Sequence, residues 1–205
     1  MNLGSIVLAS SSPRRRRLIS SLGVPFSVFE PAVDETLDAE EPQALIRVAL
    51  RKARAFPGGA VVVAADTTVV CDGNFLGKPT DEGAAFRMLA SLRGRTHEVV
   101  TAVAVVAPGS ERSGYSRTRV TMRDYGDDEI RAYLLSGDPM DKAGAYAIQD
   151  RRFDPVAGYE GCYLNVVGFP LCTLVRVLRE LGFSAERFRY PAECCDCRAE
   201  DRLAL

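Results

Sequence analysis

Apolar positions along this chain repeat with two periods, one for strands and one for helices. A short apolar strand whose run stops at Ala9 leads into Ser10-Ser11-Ser12-Pro13, and Leu18, Ile19 and Leu22 then share one arc at 100° per residue. Ser12 suits an N-cap and Pro13 a first helical position, so a helix is predicted from Pro13 to Gly23. Val24 to Phe29 reads as a strand closed by Pro31, and Pro42 opens a helix to about Phe56 with Leu45, Ala49 and Phe56 as its stripe and Ile46 and Val48 beside it. Ala60 to Val70 is a β-branched run long enough for a central strand buried on both faces. After the Asp72-Gly73 turn, Thr80 or Asp81 caps a helix with Ala84, Ala85, Met88, Leu89 and Leu92 inward, ended by Gly94. Thr96 to Val106 is the next strand, and Tyr115 to Arg123 alternates like a half-exposed antiparallel one. Asp127 reads as the cap of a helix carrying Ile130, Tyr133 and Leu134. Tyr159 to Val167 reads as a last strand, and Leu171 to Leu181 as a final helix stopped by Gly182.

Strands alternating with helices predict an α/β fold: a central mixed, twisted sheet flanked by helices, with two lobes around a cleft. The domain is placed at residues 1–184, and residues 185–205 read as a polar, cysteine-containing tail.

Composition narrows the picture. With 205 residues, one domain is favoured. No apolar run approaches the ~18 residues that a membrane helix needs, and the first residues lack the basic segment of a signal peptide, so a cytoplasmic protein is expected. The net charge of −1 argues against a general nucleic-acid binder and toward a small anionic ligand. Of 26 basic residues only Lys52, Lys78 and Lys142 are lysines, and a compact ammonium is not interchangeable with the arginine fork. Cys71, Cys162 and Cys172 read as small core residues. Cys194, Cys195 and Cys197 read as part of the tail, with structural zinc the alternative.

Candidate chemistry collects at few places. The turn Ser10-Ser11-Ser12 opens a helix whose free N–H groups favour an anion, and helical phase turns Arg14 and Arg15 inward while Arg16 and Arg17 point to solvent. A basic surface patch is the competing reading. Asp34, Glu35, Asp38, Glu40 and Glu41 form an acidic run that is either solvated surface or a cation site. Lys52 lies on an apolar helix stripe, where it must snorkel, pair with a carboxylate or meet a phosphate. Asp66 interrupts a buried strand, which is costly unless it is paired, metal-bound or at a cleft. Gly77-Lys78-Pro79 presents a second lysine, and Lys142-Ala143-Gly144-Ala145 followed by Gln149 combines close backbone approach with an amide able to read a base edge. His97, the sole histidine, is read as structural.

Taken together, Leu8-Ala9-Ser10-Ser11-Ser12-Pro13-Arg14-Arg15, Ala65-Asp66-Thr67, Gly77-Lys78-Pro79 and Asp141-Lys142-Ala143-Gly144-Ala145-Tyr146-Ala147-Ile148-Gln149 resemble the four ordered motifs of the Maf family of nucleoside triphosphate pyrophosphatases, from Val7 to Leu181. The resemblance implies an ITPase-like domain that hydrolyses a triphosphate between its α and β phosphorus atoms with a divalent cation, Mg or Mn. It implies Asp66 as proton acceptor and metal ligand, Glu35 as metal partner, and Ser10, Arg14, Arg15, Lys52 and Lys78 as the triphosphate grip. A late motif ending Tyr-Ala-Ile-Gln is similar to that of the subgroup acting on dTTP and UTP, with Arg14, Thr67 and Gln149 at positions linked to base choice. The chain departs from the pattern at Asp150 and in Arg151-Arg152-Phe153-Asp154-Pro155. A homodimer is implied as well.

Such chemistry is physically coherent, because water must attack a heavily anionic centre, cations reduce the repulsion, and a carboxylate in reach takes the proton. Two alternatives stand beside it: a non-enzymatic regulator binding nucleic acid or a division protein through its basic helix, and a pyrophosphatase for a modified nucleotide such as 7-methyl-GTP.

Overall fold

The computed structural model describes residues 4–186 and 188–194. In chain order the elements are β1 (Ile6–Ala9), α1 (Pro13–Ser21), β2 (Phe26–Phe29), α2 (Pro42–Arg54), β3 (Val61–Cys71), β4 (Asn74–Leu76), α3 (Glu82–Leu92), β5 (Thr96–Ala107), β6 (Ser110–Met122), α4 (Asp127–Leu134), β7 (Val156–Glu160), α5 (Tyr163–Val167) and α6 (Leu171–Glu180). Short 3-10 turns lie at Asp138–Asp141, Ala143–Ala145 and Ala192–Cys194. The strands form one mixed sheet of seven in the order β2-β1-β3-β5-β6-β7, with β4 paired to β3. β1 runs parallel to β2 and β3, whereas β4 is antiparallel to β3 and β7 to β6. The fold is α/β with a mixed sheet, as the alternating periods predict. The chain divides into two compact units, one drawn from 1–66, 101–116 and 162–205 and the other from 67–100 and 117–161.

In the first unit the pleat of β1 and β3 sorts side chains onto two faces. Ile6, Leu8, Val63 and Ala65 pack with Ile19 and Leu22 at α1 and with Leu174, Val177 and Leu178 of α6. Val7, Ala9, Val62 and Ala64 pack on the opposite face with Ala53 of α2, Phe29 and Phe56. Asp66 continues the even-numbered series of Val62 and Ala64, so strand parity turns it toward α2. Ala185, Phe188 and Cys194, from the segment read as a polar tail, join the α6 side of this core. Cys195 and Cys197 lie outside the described residues.

The second unit is built on aromatic packing. The Tyr133 ring stacks on Phe153 with centroids 4.4 Å apart, Tyr125 packs against Phe153 at 4.8 Å, and the buried Tyr125 hydroxyl donates to the Leu89 carbonyl at 2.8 Å. His97 is 3% exposed, and its Nε2 lies 2.7 Å from the Tyr146 hydroxyl. Burial alone pulls the His97 pKa down to about 4.

Three expectations need correction. Tyr159 to Val167 is not one strand: pairing with β6 ends at Glu160, and Tyr163–Val167 is the helix α5. Its β-branched composition yields to tertiary packing, since Leu164, Asn165 and Val167 are buried. Asp127 is not a cap but the first residue of α4. Gly126 is the cap, because Glu129 Oε2 reaches back to accept its N–H at 2.9 Å, while Asp127 pairs with Arg93. β6 begins at Ser110 rather than Tyr115, directly after the Pro108-Gly109 turn. Strand pairing is a backbone property, so the polar stretch 110–114 extends it without an apolar pattern.

His97 makes stability fall on acidification. The unfolded chain takes up the proton near pH 6.5 and the folded one only near pH 4, so the stability present above pH 6.5 is lost as pH falls through this window. Urea unfolding at pH 7 and pH 4.5 is expected to show wild type losing about 2–3 kcal/mol more than His97→Gln. Equal losses would remove His97 as the cause.

Gly144 sits at φ +67°, and a Cβ there would lie 2.8 Å from Val69 Cγ2. Gly144→Ala is therefore expected to cost about 2–4 kcal/mol by urea unfolding, combining left-handed strain with overpacking. Val69→Ala in the same chain should recover only the overpacking part.

Candidate active site

The turn before α1 closes on itself as its residue types predict. Ser12 caps the helix by accepting the Arg15 N–H at 3.4 Å, and Pro13 occupies the first helical position. Ser10 is 5% exposed, and its Oγ accepts the Ser12 N–H at 3.2 Å and lies 3.5 Å from Arg15 Nη1. Arg15 Nε donates to the Gly168 carbonyl at 2.9 Å. Gly168 ends α5 at φ +105°, a conformation that a Cβ would strain. Arg16 pairs with Glu30 at 2.6 Å; Arg14, Arg15 and Arg16 are all half-buried, and Arg17 is exposed, so the division expected from helical phase is seen only at Arg17.

Lys52 stands at the junction of the acidic loop, α2 and β3. It is 3% exposed, and its Nζ lies 2.7 Å from Asp66 Oδ1 and 2.9 Å from Glu35 Oε2. The Asp66 side chain keeps 14% of its surface and Glu35 47%, so water reaches the carboxylates from the Glu35 side. Among the options that the stripe position left open, Lys52 pairs with carboxylates. The acidic run divides: Asp38 Oδ1 and Glu41 Oε1 bind Arg47 at 2.6 and 3.2 Å, and the Thr36 carbonyl accepts from Arg51 at 3.0 Å, so the loop is tied to α2. Glu35 is the acidic-loop residue that reaches Lys52.

Electrostatics joins these two groups. Burial pulls the Arg15 guanidinium below the ordinary arginine pKa, the negative charges of Asp66 and Glu35 act against that pull, and neighbouring Arg14 adds to it. Ser10, Arg14, Arg15, Glu35, Lys52 and Asp66 are thus one neighbourhood of the first unit, with the arginines balancing carboxylates that one ammonium neutralises only in part. Asp66 Oδ1 and Glu35 Oε2 converge on the Lys52 ammonium; carboxylates are hard oxygen ligands of the kind that a divalent cation of the Mg class takes together with phosphate oxygens and water. Among the described residues no group of three or more His, Cys, Asp and Glu is placed to hold a metal ion.

Thr67 follows Asp66 on β3, half-buried and on the opposite side of the pleat. In the second unit, exposed Lys78 follows β4, and exposed Gln149 lies in the turn after the glycine motif. The Gly144 N–H donates to the Gly77 carbonyl at 3.1 Å, which ties the loop of Lys78 to the motif of Gln149. Lys142 is 6% exposed and bound to Asp138 and Asp141 at 3.0 and 2.6 Å, so the third lysine braces its own turn. The Gly168 carbonyl that holds Arg15 lies 153 residues away in sequence, beyond any local spacing rule.

A model of the family described as Maf-like protein matches residues 5–181. The chain is similar to three proteins named dTTP/UTP pyrophosphatase. It is 50% identical over 187 residues to that of Moorella thermoacetica, covering 88% of this chain and 96% of the relative. It is 48% identical to that of Geotalea uraniireducens, covering 87% and 95%, and 46% identical to that of Symbiobacterium thermophilum, covering 87% and 94%. Among solved structures, the Ham1 protein of Staphylococcus aureus is 17% identical with a TM-score of 0.44, covering 60% of this chain and 74% of that one. The family match runs from β1 through α6 and takes in every residue of the ion cluster, the Lys78 loop and the glycine motif: this chain belongs to the Maf family.

Proposed function

We propose that this protein is a nucleoside triphosphate pyrophosphatase that hydrolyses dTTP and UTP to the monophosphate and pyrophosphate. The observation that carries this reading is the Lys52, Asp66 and Glu35 cluster beside the capped N-terminus of α1 with its half-buried Arg15. The names of the relatives supply the nucleotides.

In this reading Arg14, Arg15 and Ser10, at the positive end of the α1 dipole, bind phosphate oxygens at a site already ordered and aimed. Arg15 is held from behind by the Gly168 carbonyl, so little reorganisation accompanies binding. Asp66 takes the proton from the attacking water. Lys52 engages Asp66 at Oδ1, which fixes the carboxylate and leaves its second oxygen to accept that proton. Glu35 and Asp66 would hold a divalent cation, Mg or Mn, which supplies charge neutralisation and a more acidic bound water. Lys78 adds a point charge toward phosphate, and Thr67 and Gln149 read the pyrimidine edge. The protein acts as a homodimer in the cytoplasm. No helix among the described residues is long and apolar enough to cross a membrane.

Pyrophosphate release from a panel of canonical nucleotides, 7-methyl-GTP and other modified nucleotides, with Mg or Mn, tests the assignment. The highest kcat/KM is expected for dTTP and UTP, and silence on every nucleotide would overturn it. Asp66→Asn is expected to lower kcat at least about 10²-fold with the fold intact by circular dichroism, whereas Arg16→Ala with Arg17→Ala leaves kcat within about twofold. The reverse pattern would favour the regulator that binds nucleic acid or a division protein.

Lys52→Met leaves Asp66 without its ammonium. It is expected to lower kcat and to cost about 1–3 kcal/mol in urea unfolding, and adding Asp66→Asn should restore most of the stability but none of the activity.

A further inference from the structure

The C-terminal segment carries a feature that triphosphate hydrolysis does not use. Cys172 is the second residue of α6, and Cys194 ends the 3-10 turn Ala192–Cys194; their sulfurs lie 3.6 Å apart. Cys194 comes after the residues that the family model matches, which end at 181. The pair differs in access, since Cys172 is partly exposed whereas Cys194 is 0% exposed within the α6 core. The turn is held in place independently of the sulfurs. The Cys194 N–H donates to the Pro191 carbonyl at 3.0 Å, the Arg189 N–H donates to the Leu22 carbonyl at 3.0 Å, and Phe188 is buried in the core. Backbone and packing therefore bring the two sulfurs together, and the sulfur contact is a consequence.

We propose that Cys172 and Cys194 form a reversible redox clasp, joined as a disulfide by hydroperoxides and opened by thiols. The order of events follows from access. The Cys172 thiolate attacks one oxygen of hydrogen peroxide, the O–O bond breaks, and hydroxide leaves, giving a sulfenic acid. The Cys194 sulfur then attacks the Cys172 sulfur, the S–O bond breaks, and the oxygen leaves as water. Two thiols are oxidised to one disulfide while one peroxide is reduced to two waters. The bond fixes the C-terminal segment to α6, and because that segment also holds Leu22, the oxidised form braces the C-terminal end of α1. A loop of this size closed by a bond stabilises the folded chain mainly by restricting the unfolded one.

The test uses the full-length protein treated with hydrogen peroxide, followed by thiol titration and tandem mass spectrometry of the non-reduced digest. Loss of two of the six thiols is expected, together with a Cys172–Cys194 linkage that dithiothreitol reverses and a higher melting temperature for the oxidised form. Cys172→Ser and Cys194→Ser should each abolish the linkage, while Cys195→Ser with Cys197→Ser should retain it. That last variant keeps the test decisive should Cys194→Ser not fold. A linkage through Cys162, Cys195 or Cys197 in place of Cys194, no loss of thiols, or stoichiometric zinc released from the protein as isolated would each overturn the proposal.

Discussion

The ammonium of Lys52 is the constraint around which the first unit is arranged. An amine with 3% exposure cannot stay charged without compensation, and the side chains near enough to compensate are Asp66 and Glu35. Asp66 in turn cannot sit in a strand of Val and Ala without a cation, so each buried charge is the condition for the other. This requirement sets the register of α2 against β3 and draws the acidic loop over the helix, where Arg47 and Arg51 fasten it from the exposed face. One long side chain thus fixes the relation of a loop, a helix and a strand, and it gathers carboxylates at a point that water still reaches.

Arg15 answers the same problem from the other wall. Burial works against its charge, and Asp66 and Glu35 work for it, so the carboxylates serve two cations from two elements. The desolvation of both is met during folding rather than at the moment a ligand arrives. A helix start with a Ser12 cap, a Ser10 hydroxyl and an arginine pinned to the Gly168 carbonyl is rigid before any ligand binds. Such preorganisation is what electrostatic catalysis of anhydride cleavage demands.

What the sequence reveals and what it hides follow from the range of the interactions. Ser12, Pro13 and the exposure of Arg17 are decided within one helical turn, so they are readable locally. Lys52 on an apolar stripe and Asp66 inside an apolar strand are readable as anomalies, because burial of charge violates the local pattern. Their partnership is not readable, since it depends on strand parity and on how α2 crosses β3. Tyr163–Val167 misleads for a related reason: its β-branched residues fit a strand, and only packing of Leu164 and Val167 selects the helix. The same holds for Cys194, whose neighbours Glu193 and Asp196 look like solvent-facing tail while its own side chain lies in the core.

The unequal burial of the three lysines gives the protein an unusual chemical profile. Lys52 and Lys142 are enclosed and doubly paired, and Lys78 is the one that faces solvent. A reagent that acylates free amines meets, besides the α-amine, a single accessible side chain, and that side chain lies on the loop tied to the glycine motif. Amine acylation of the folded protein thus amounts to a nearly residue-specific modification of Lys78, so the accessibility of this loop is open to measurement on the unaltered chain.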